Sequence, residues 1–345
     1  MIFIFLSLLI PLIWGARFTG KHFNDDYLSK DTTNVVKGLF IAFVFMSHIQ
    51  GYIQQSGYGY DFIGDGLYLK FRAFMGQLVV AMFLFYSGYG IMESYKRKGQ
   101  AYVNTMPRKR LAGTLLNFDI AVIIFILLNL ALGITMSGRQ CVLALTGWDS
   151  VGNSNWYIFV ILICYLISYI CFQIIRNSNI YIGVWTYLLL SVVTYVLLVR
   201  YKQSWWYDTF FCFTAGILFS LFKQKIEQLM DKHYWALLII CVLLFAITKY
   251  LPYNVYGLRA NMNAIFFALT VVLMTRKITL KSNILCWMGT MLFPLYIYQR
   301  IPMTAFYHID NGGFVLSHTV LYIIVCAIIT VAIGYLYKFI SVSFK

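Results

Sequence analysis

Eleven runs of apolar residues divide the chain, at 2–16, 35–53, 73–92, 114–136, 156–175, 180–199, 210–222, 234–250, 262–275, 284–298 and 315–337. Most approach the ~20 residues that a helix needs to cross the hydrocarbon core of a bilayer. Helices satisfy their own backbone hydrogen bonds in lipid, so the pattern predicts an all-α fold. The expected architecture is a polytopic integral membrane helix bundle of about 10–11 transmembrane helices, forming a single domain over 1–345. The first, seventh and ninth runs are short and read as tilted, partial or re-entrant. The first run also lacks the basic start and small-residue cleavage site of a signal peptide, so it reads as a retained helix.

Composition agrees with the pattern. Hydrophobic residues make up 61% of the 345 and charged residues only 11%, with a mean hydropathy of +0.75, far from the composition of a soluble domain. The formal net charge of +15 raises the possibility of a nucleic-acid partner. The Lys and Arg residues, however, sit in short segments between apolar runs and form no continuous basic groove, which excludes that class. Their distribution instead reports topology. Of the 27 Lys and Arg residues, 19 fall on one side of the runs and 8 on the other, and basic residues near span ends concentrate in the cytoplasm. This predicts an outer N-terminus, a cytoplasmic C-terminus and a multi-pass protein of the cell membrane, with membrane lipid as its surroundings.

Within the second run, His48 lies eleven positions after Lys37. Eleven helical steps of ~100° return to within roughly 20°, so both side chains share one helix face about 16 Å apart. An ionisable group at such depth is costly in lipid and marks a candidate functional site. The second charged feature is the segment 95–111, YKRKGQAYVNTMPRKRL, which reads as a loop. Six positive charges there suit either a phosphate-bearing ligand or topology and lipid headgroups. Glu93, Asp119, Asn129, Gln77 and Arg300 are further polar groups in or beside the runs. Asp119 is expected either to pair with the basic segment or to favour the positive end of a helix dipole. The seven cysteines are scattered, with no spacing that suggests a metal site, and read as small core side chains. No P-loop and no GxGxxG motif is present, so nucleotide hydrolysis has no machinery here.

Several stretches together carry a resemblance. VVKGLFIAFVFMSH, holding Lys37 and His48, resembles the first signature of the membrane acyltransferase type 3 family. VVAMFLFYSGYGI, with Phe85, Ser87, Gly88 and Tyr89, is similar to its aromatic Ser-Gly-Tyr stretch. SNWYIF, with Trp156 and Tyr157, resembles the aromatic start of a later span, and GTMLFPLYIYQR, with Tyr296 and Tyr298, resembles the C-terminal signature. Two departures are visible. The family often has two arginines three apart in the basic segment, whereas Arg110 is followed at that distance by Gly113. Its C-terminal signature often ends in histidine, where this chain has Gln299 and Arg300.

The resemblance implies an integral-membrane O-acyltransferase that moves an acyl group, commonly acetyl, from cytoplasmic acyl-CoA to a hydroxyl of a cell-envelope carbohydrate or related acceptor, without a metal. A histidine titrating near neutrality suits proton removal from a hydroxyl, so His48 is expected as general base, or alternatively as a transient acyl carrier. Lys37, Arg108, Lys109 and Arg110 are expected at the cofactor, and Ser87, Tyr89, Asp119, Trp156 and Tyr157 along the substrate cavity. Acceptor would enter from outside, past loops 54–72 and 137–155. The competing reading is a transporter or exporter of a glycan or lipid-linked sugar, which leaves the basic segment and the Lys37–His48 pair without a role.

Overall fold

The computed structural model describes residues 1–60, 62–174 and 179–342. The last residue of the fifth run, at 175, and the basic residues Arg176 and Lys345 lie outside them. The described chain is helical almost throughout: α1 (Ile2–Gly15), α2 (Lys30–Gln55), α3 (Ile63–Met75), α4 (Leu78–Lys98), α5 (Gln100–Met106), α6 (Gly113–Ala131), α7 (Gly138–Leu145), α8 (Trp156–Ile174), α9 (Ile180–Tyr201), α10 (Phe211–Leu221), α11 (Lys223–Tyr250), α12 (Leu258–Lys277), α13 (Asn283–Thr290), α14 (Leu292–Tyr298), α15 (Arg300–His308), α16 (Gly313–Ser317) and α17 (Thr319–Ile340). Two three-residue strands, β1 (Ala16–Phe18) and β2 (Ile278–Leu280), pair antiparallel with Arg17 opposite Thr279.

Among the described residues, eight helical stretches are long and apolar enough to cross a membrane, and the protein is a polytopic helical membrane protein. Of the eleven apolar runs, the first, seventh and tenth are not among the eight. The first and seventh form helices of 14 and 11 residues. The tenth is broken. Proline has no N–H and its ring clashes with the carbonyl four residues earlier. Pro294 stands four after Thr290, where α13 ends, and Pro302 stands four after Tyr298, where α14 ends. Sequence reading missed both breaks because the run is apolar from end to end, although the two prolines, eight apart, are the signal. The ninth run, by contrast, lies inside the 20-residue α12.

Burial separates the centre of the bundle from its rim. In α2 and in the α3–α4 stretch 72% of the apolar window is buried, against 11% in α11, so α2 and α4 form the core and α11 faces lipid. Glycines permit the two closest crossings. A Cβ at Gly88 would lie 2.0 Å from the carbonyl oxygen of Phe213, and one at Gly216 would lie 2.0 Å from that of Phe85, locking α4 to α10. Gly38 and Gly289 meet Leu285 and Asn34 in the same way, locking α2 to α13. Such small-residue contacts are how helices associate where lipid supplies no hydrophobic drive.

The end of the bundle where α2 and α11 begin and α4 and α12 finish collects Lys30, Lys96, Arg97, Lys98, Lys223, Arg276 and Lys277, and is the basic end. Gly15 at the close of α1 bonds Lys281 there, whereas Ile2 bonds Asp65 at the opposite end. Val342 near the C-terminus returns to Asn117 close to the start of α6. Ile2 and Val342 therefore lie at opposite ends of the bundle.

Candidate functional site

The α2 helix starts cleanly because the Ser29 hydroxyl accepts the Thr32 N–H at 3.2 Å and Asp31 sits in the first turn, both favourable at a helix N-terminus. From that start the helix runs unbroken through Lys37 and His48 to Gln55. The depth separation of about 16 Å between the two side chains follows from the 1.5 Å rise.

The His48 ring lies 6.3 Å from the Tyr296 ring, tilted by 56°, and its Nδ1 is buried with no hydrogen-bond partner. Tyr296 in turn lies 5.2 Å from Tyr157, and its hydroxyl is also buried and unpartnered. The Ser87 hydroxyl interacts with the phenols of both Tyr157 and Tyr165. The Arg110 guanidinium lies 5.8 Å from the Tyr165 ring. A continuous row of polar groups thus leads from Arg110 through Tyr165, Ser87, Tyr157 and Tyr296 to His48. Every member sits on a different turn or helix, α8 supplying Tyr157 and Tyr165, and α14 supplying Tyr296. Unpartnered buried polar atoms are rare in folded proteins and mark places where a further group is accommodated.

At the basic end this row opens into a cavity of about 360 Å³ lined by Lys109, Arg110, Thr114, Asn117, Tyr165 and Tyr337, among others. Lys37 is partly buried and lies within electrostatic reach of Arg110. Among the described residues neither Lys37, Lys109 nor Arg110 enters an ion pair. Positive charges without acidic partners, two of them lining a polar cavity, suit an anionic ligand.

The segment carrying this charge is not the loop that its sequence suggests. After Gly99, whose φ of +53° ends α4, residues 100–106 form α5 and Pro107–Ala112 continue it as a π-helical turn into α6. Wide π turns recur at functional sites. Lys109 and Arg110 project from this turn into the cavity. In the upstream triplet Lys96 is already engaged, by Glu93 Oε1 at 2.5 Å and by the Ser220 carbonyl at 2.9 Å. The segments 54–72 and 137–155, which read as loops, likewise contain the start of α3 and the whole of α7.

The predicted cavity residues separate into two groups. Ser87 and Tyr157 belong to the row. Tyr89 does not: residues two apart on a helix point in nearly opposite directions, and Tyr89 turns to Phe219, 6.3 Å away, with the Lys223 ammonium 6.0 Å from its ring. Trp156 stands edge-on to Tyr157 at 6.1 Å and flanks the row rather than lining it. Asp119 Oδ1 is buried without a partner and makes no ion pair with the basic segment among the described residues. Sequence reading did not assign Tyr165, Arg72 or a role for Arg300. Tyr165 follows Tyr157 by eight residues, two helical turns on the same face, which is a spacing signal. Arg72 and Arg300 come to α2 from distant segments and have no such signal.

No curated protein and no solved structure matches the chain. A family model described as an acyltransferase domain matches residues 32–338, a range that holds every group in the row from Arg110 to His48, and Lys37 besides. The chain therefore belongs to the membrane acyltransferase type 3 family and is a multi-pass membrane acyltransferase.

Proposed function

We propose that this acyltransferase moves an acyl group, acetyl in the first instance, from acyl-CoA at the basic end to a hydroxyl of a cell-envelope carbohydrate arriving from the opposite end, with His48 as general base. The observation that carries the reading is the row of hydroxyls and rings joining the unpaired cations of the basic cavity to the unpartnered Nδ1 of His48. On this reading the basic end faces the cytoplasm, in keeping with the excess of Lys and Arg there.

A CoA molecule carries several phosphates and cannot enter hydrocarbon, but its pantetheine arm is long, thin and only weakly polar. Arg110, Lys109 and Lys37 hold the phosphates, and the row accepts the arm and its amides. A neutral hydroxyl is a poor nucleophile. His48 takes its proton as the oxygen attacks the thioester carbon, and the tetrahedral oxyanion collapses by breaking the C–S bond. The proton on the imidazole then passes to the departing thiolate, leaving an O-ester and free CoA.

Purified protein given acetyl-CoA and an envelope glycan is expected to release free thiol in proportion to ester formed. His48→Ala is expected to remove that release while leaving the detergent-solubilised protein monodisperse. Thiol release by the variant at the wild-type rate would reject His48 as the base.

A further inference from the structure

Two arginines converge on His48 from the end opposite the basic cavity. Arg72, in the last turn of α3, donates its Nε–H to the Ser47 hydroxyl at 3.2 Å, and Ser47 is the neighbour of His48 in the chain. Arg300, which opens α15, places its guanidinium 5.7 Å from the Tyr52 ring, and Tyr52 lies one turn beyond His48 on the same face of α2. Both charges are within electrostatic reach of the imidazole.

Neither arginine has an acidic partner among the described residues. The carboxylate nearest Arg72 along α3, Asp65, is already engaged by the Met1 ammonium at 2.9 Å and the Tyr58 hydroxyl at 3.2 Å. Arg300 Nε is buried and has no hydrogen-bond partner. The backbone presents Arg300 to this spot because Pro302 interrupts the α14–α15 ladder just before it, and the Tyr52 hydroxyl pins α15 to α2 through Thr304 at 2.8 Å. Two like charges that act on the same imidazole repel one another and are unfavourable without a counter-charge. An anion between them relieves both, and guanidinium forks match carboxylate and phosphate oxygens.

We propose that Arg72 and Arg300 form a receptor for an anionic group on the acceptor, so that the hydroxyl acylated at His48 belongs to a glycan or polyol bearing a carboxylate or a phosphate close to that hydroxyl. This rests on the acyltransfer reading above and narrows its acceptor class. Donor phosphates do not reach this pair, since they are held at the basic cavity, about 16 Å away along α2.

The test measures binding rather than turnover, so that it stands apart from the assignment of His48 as base. Purified wild-type protein and His48→Ala are titrated with an oligo-glucuronide, an oligo-glycerol phosphate and a neutral oligo-glucoside of matched length. One of the two anionic probes is expected to bind both proteins at least about tenfold more tightly than the neutral one. That advantage is expected to shrink with added salt, to vanish in Arg300→Gln and to survive in part in Arg300→Lys. Which probe wins distinguishes carboxylate from phosphate. Arg72→Gln serves where Arg300→Gln does not fold. Equal binding of charged and neutral probes, failure of both anionic probes to bind, or equal loss of neutral and anionic binding in the variants overturns the proposal.

Discussion

Two clusters of positive charge sit at the same end of this bundle, and their surroundings could hardly differ more. Arg276, only 6% exposed, is bonded to Asp25 and Asp231 at 3.0 Å each and to the Asn24 carbonyl at 3.0 Å, and lies about as close to the rings of Phe23 and Tyr27, at 5.1 and 5.0 Å. Its neighbour Lys277 donates to the carbonyls of Gly20 and His22. All of these contacts but one tie the end of α12 to the connector between β1 and α2, and the bond to Asp231 ties it to α11. Arg110, Lys109 and Lys37 have no acidic partner among the described residues; Arg110 and Lys109 line a cavity instead, and Lys37 lies within electrostatic reach of Arg110. One cluster is a clamp, and the other is the receptor of the proposed function. The difference lies in who neutralises the charge, which no count of Lys and Arg can reveal.

Removing the clamp is expected to have the largest effect on the fold. Arg276→Ala deletes several charge-assisted bonds around a buried group, a loss of about 2–4 kcal/mol. Thermal unfolding in detergent should show it, with turnover per folded molecule within about twofold of wild type, because Arg276 is remote from the row. Arg110→Ala should invert that outcome. Stability is expected to change little, while KM for acetyl-CoA rises roughly 10- to 100-fold, the scale of one or two charge-assisted bonds of about 1.5–3 kcal/mol. Steady-state kinetics with varied donor reads it directly. A stability loss in Arg110→Ala equal to that of Arg276→Ala would show that both clusters are clamps.

Smaller effects sharpen the receptor side. Lys37→Ala is expected to raise the same KM about 5- to 10-fold, and to combine less than additively with Arg110→Ala if both grip one set of phosphates. A double-mutant cycle on donor KM measures that coupling, and full additivity would separate the two residues. Lys109 offers a point charge where Arg110 offers a bidentate guanidinium fork, so Lys109→Ala should cost only about two- to threefold, with an effect that fades at high salt.

Much of the fold was legible beforehand because it is locally encoded. An apolar run of sufficient length in a chain this hydrophobic has no stable alternative to a membrane helix, and eight of the eleven runs behave so. The Lys37–His48 relation was equally legible, since helical periodicity alone puts the two on one face. Misreadings came where two signals competed. The segment 95–111 looked like a loop because it is charged and contains Pro107, yet proline is tolerated in a first turn and the wide turn over Pro107–Ala112 absorbs it. Tyr89 looked like a cavity residue because it adjoins Ser87 and Gly88 in one motif, but a helix sends alternate residues to opposite sides.

The sequence by itself determined that this chain is a bundle of membrane helices, which end of that bundle is basic, and at what depth one histidine sits. Each of these depends only on run length, charge and the pitch of a single helix. The tertiary structure alone decided that Tyr165, Ser87, Tyr157 and Tyr296 line up between Arg110 and His48, that Arg276 is neutralised while Arg110 has no acidic partner among the described residues, and that Arg72 and Arg300 both come within electrostatic reach of the imidazole. Those outcomes turn on how helices far apart in the chain are rotated and shifted against one another. That register is set by glycine crossings and proline breaks acting together, and no local pattern records it.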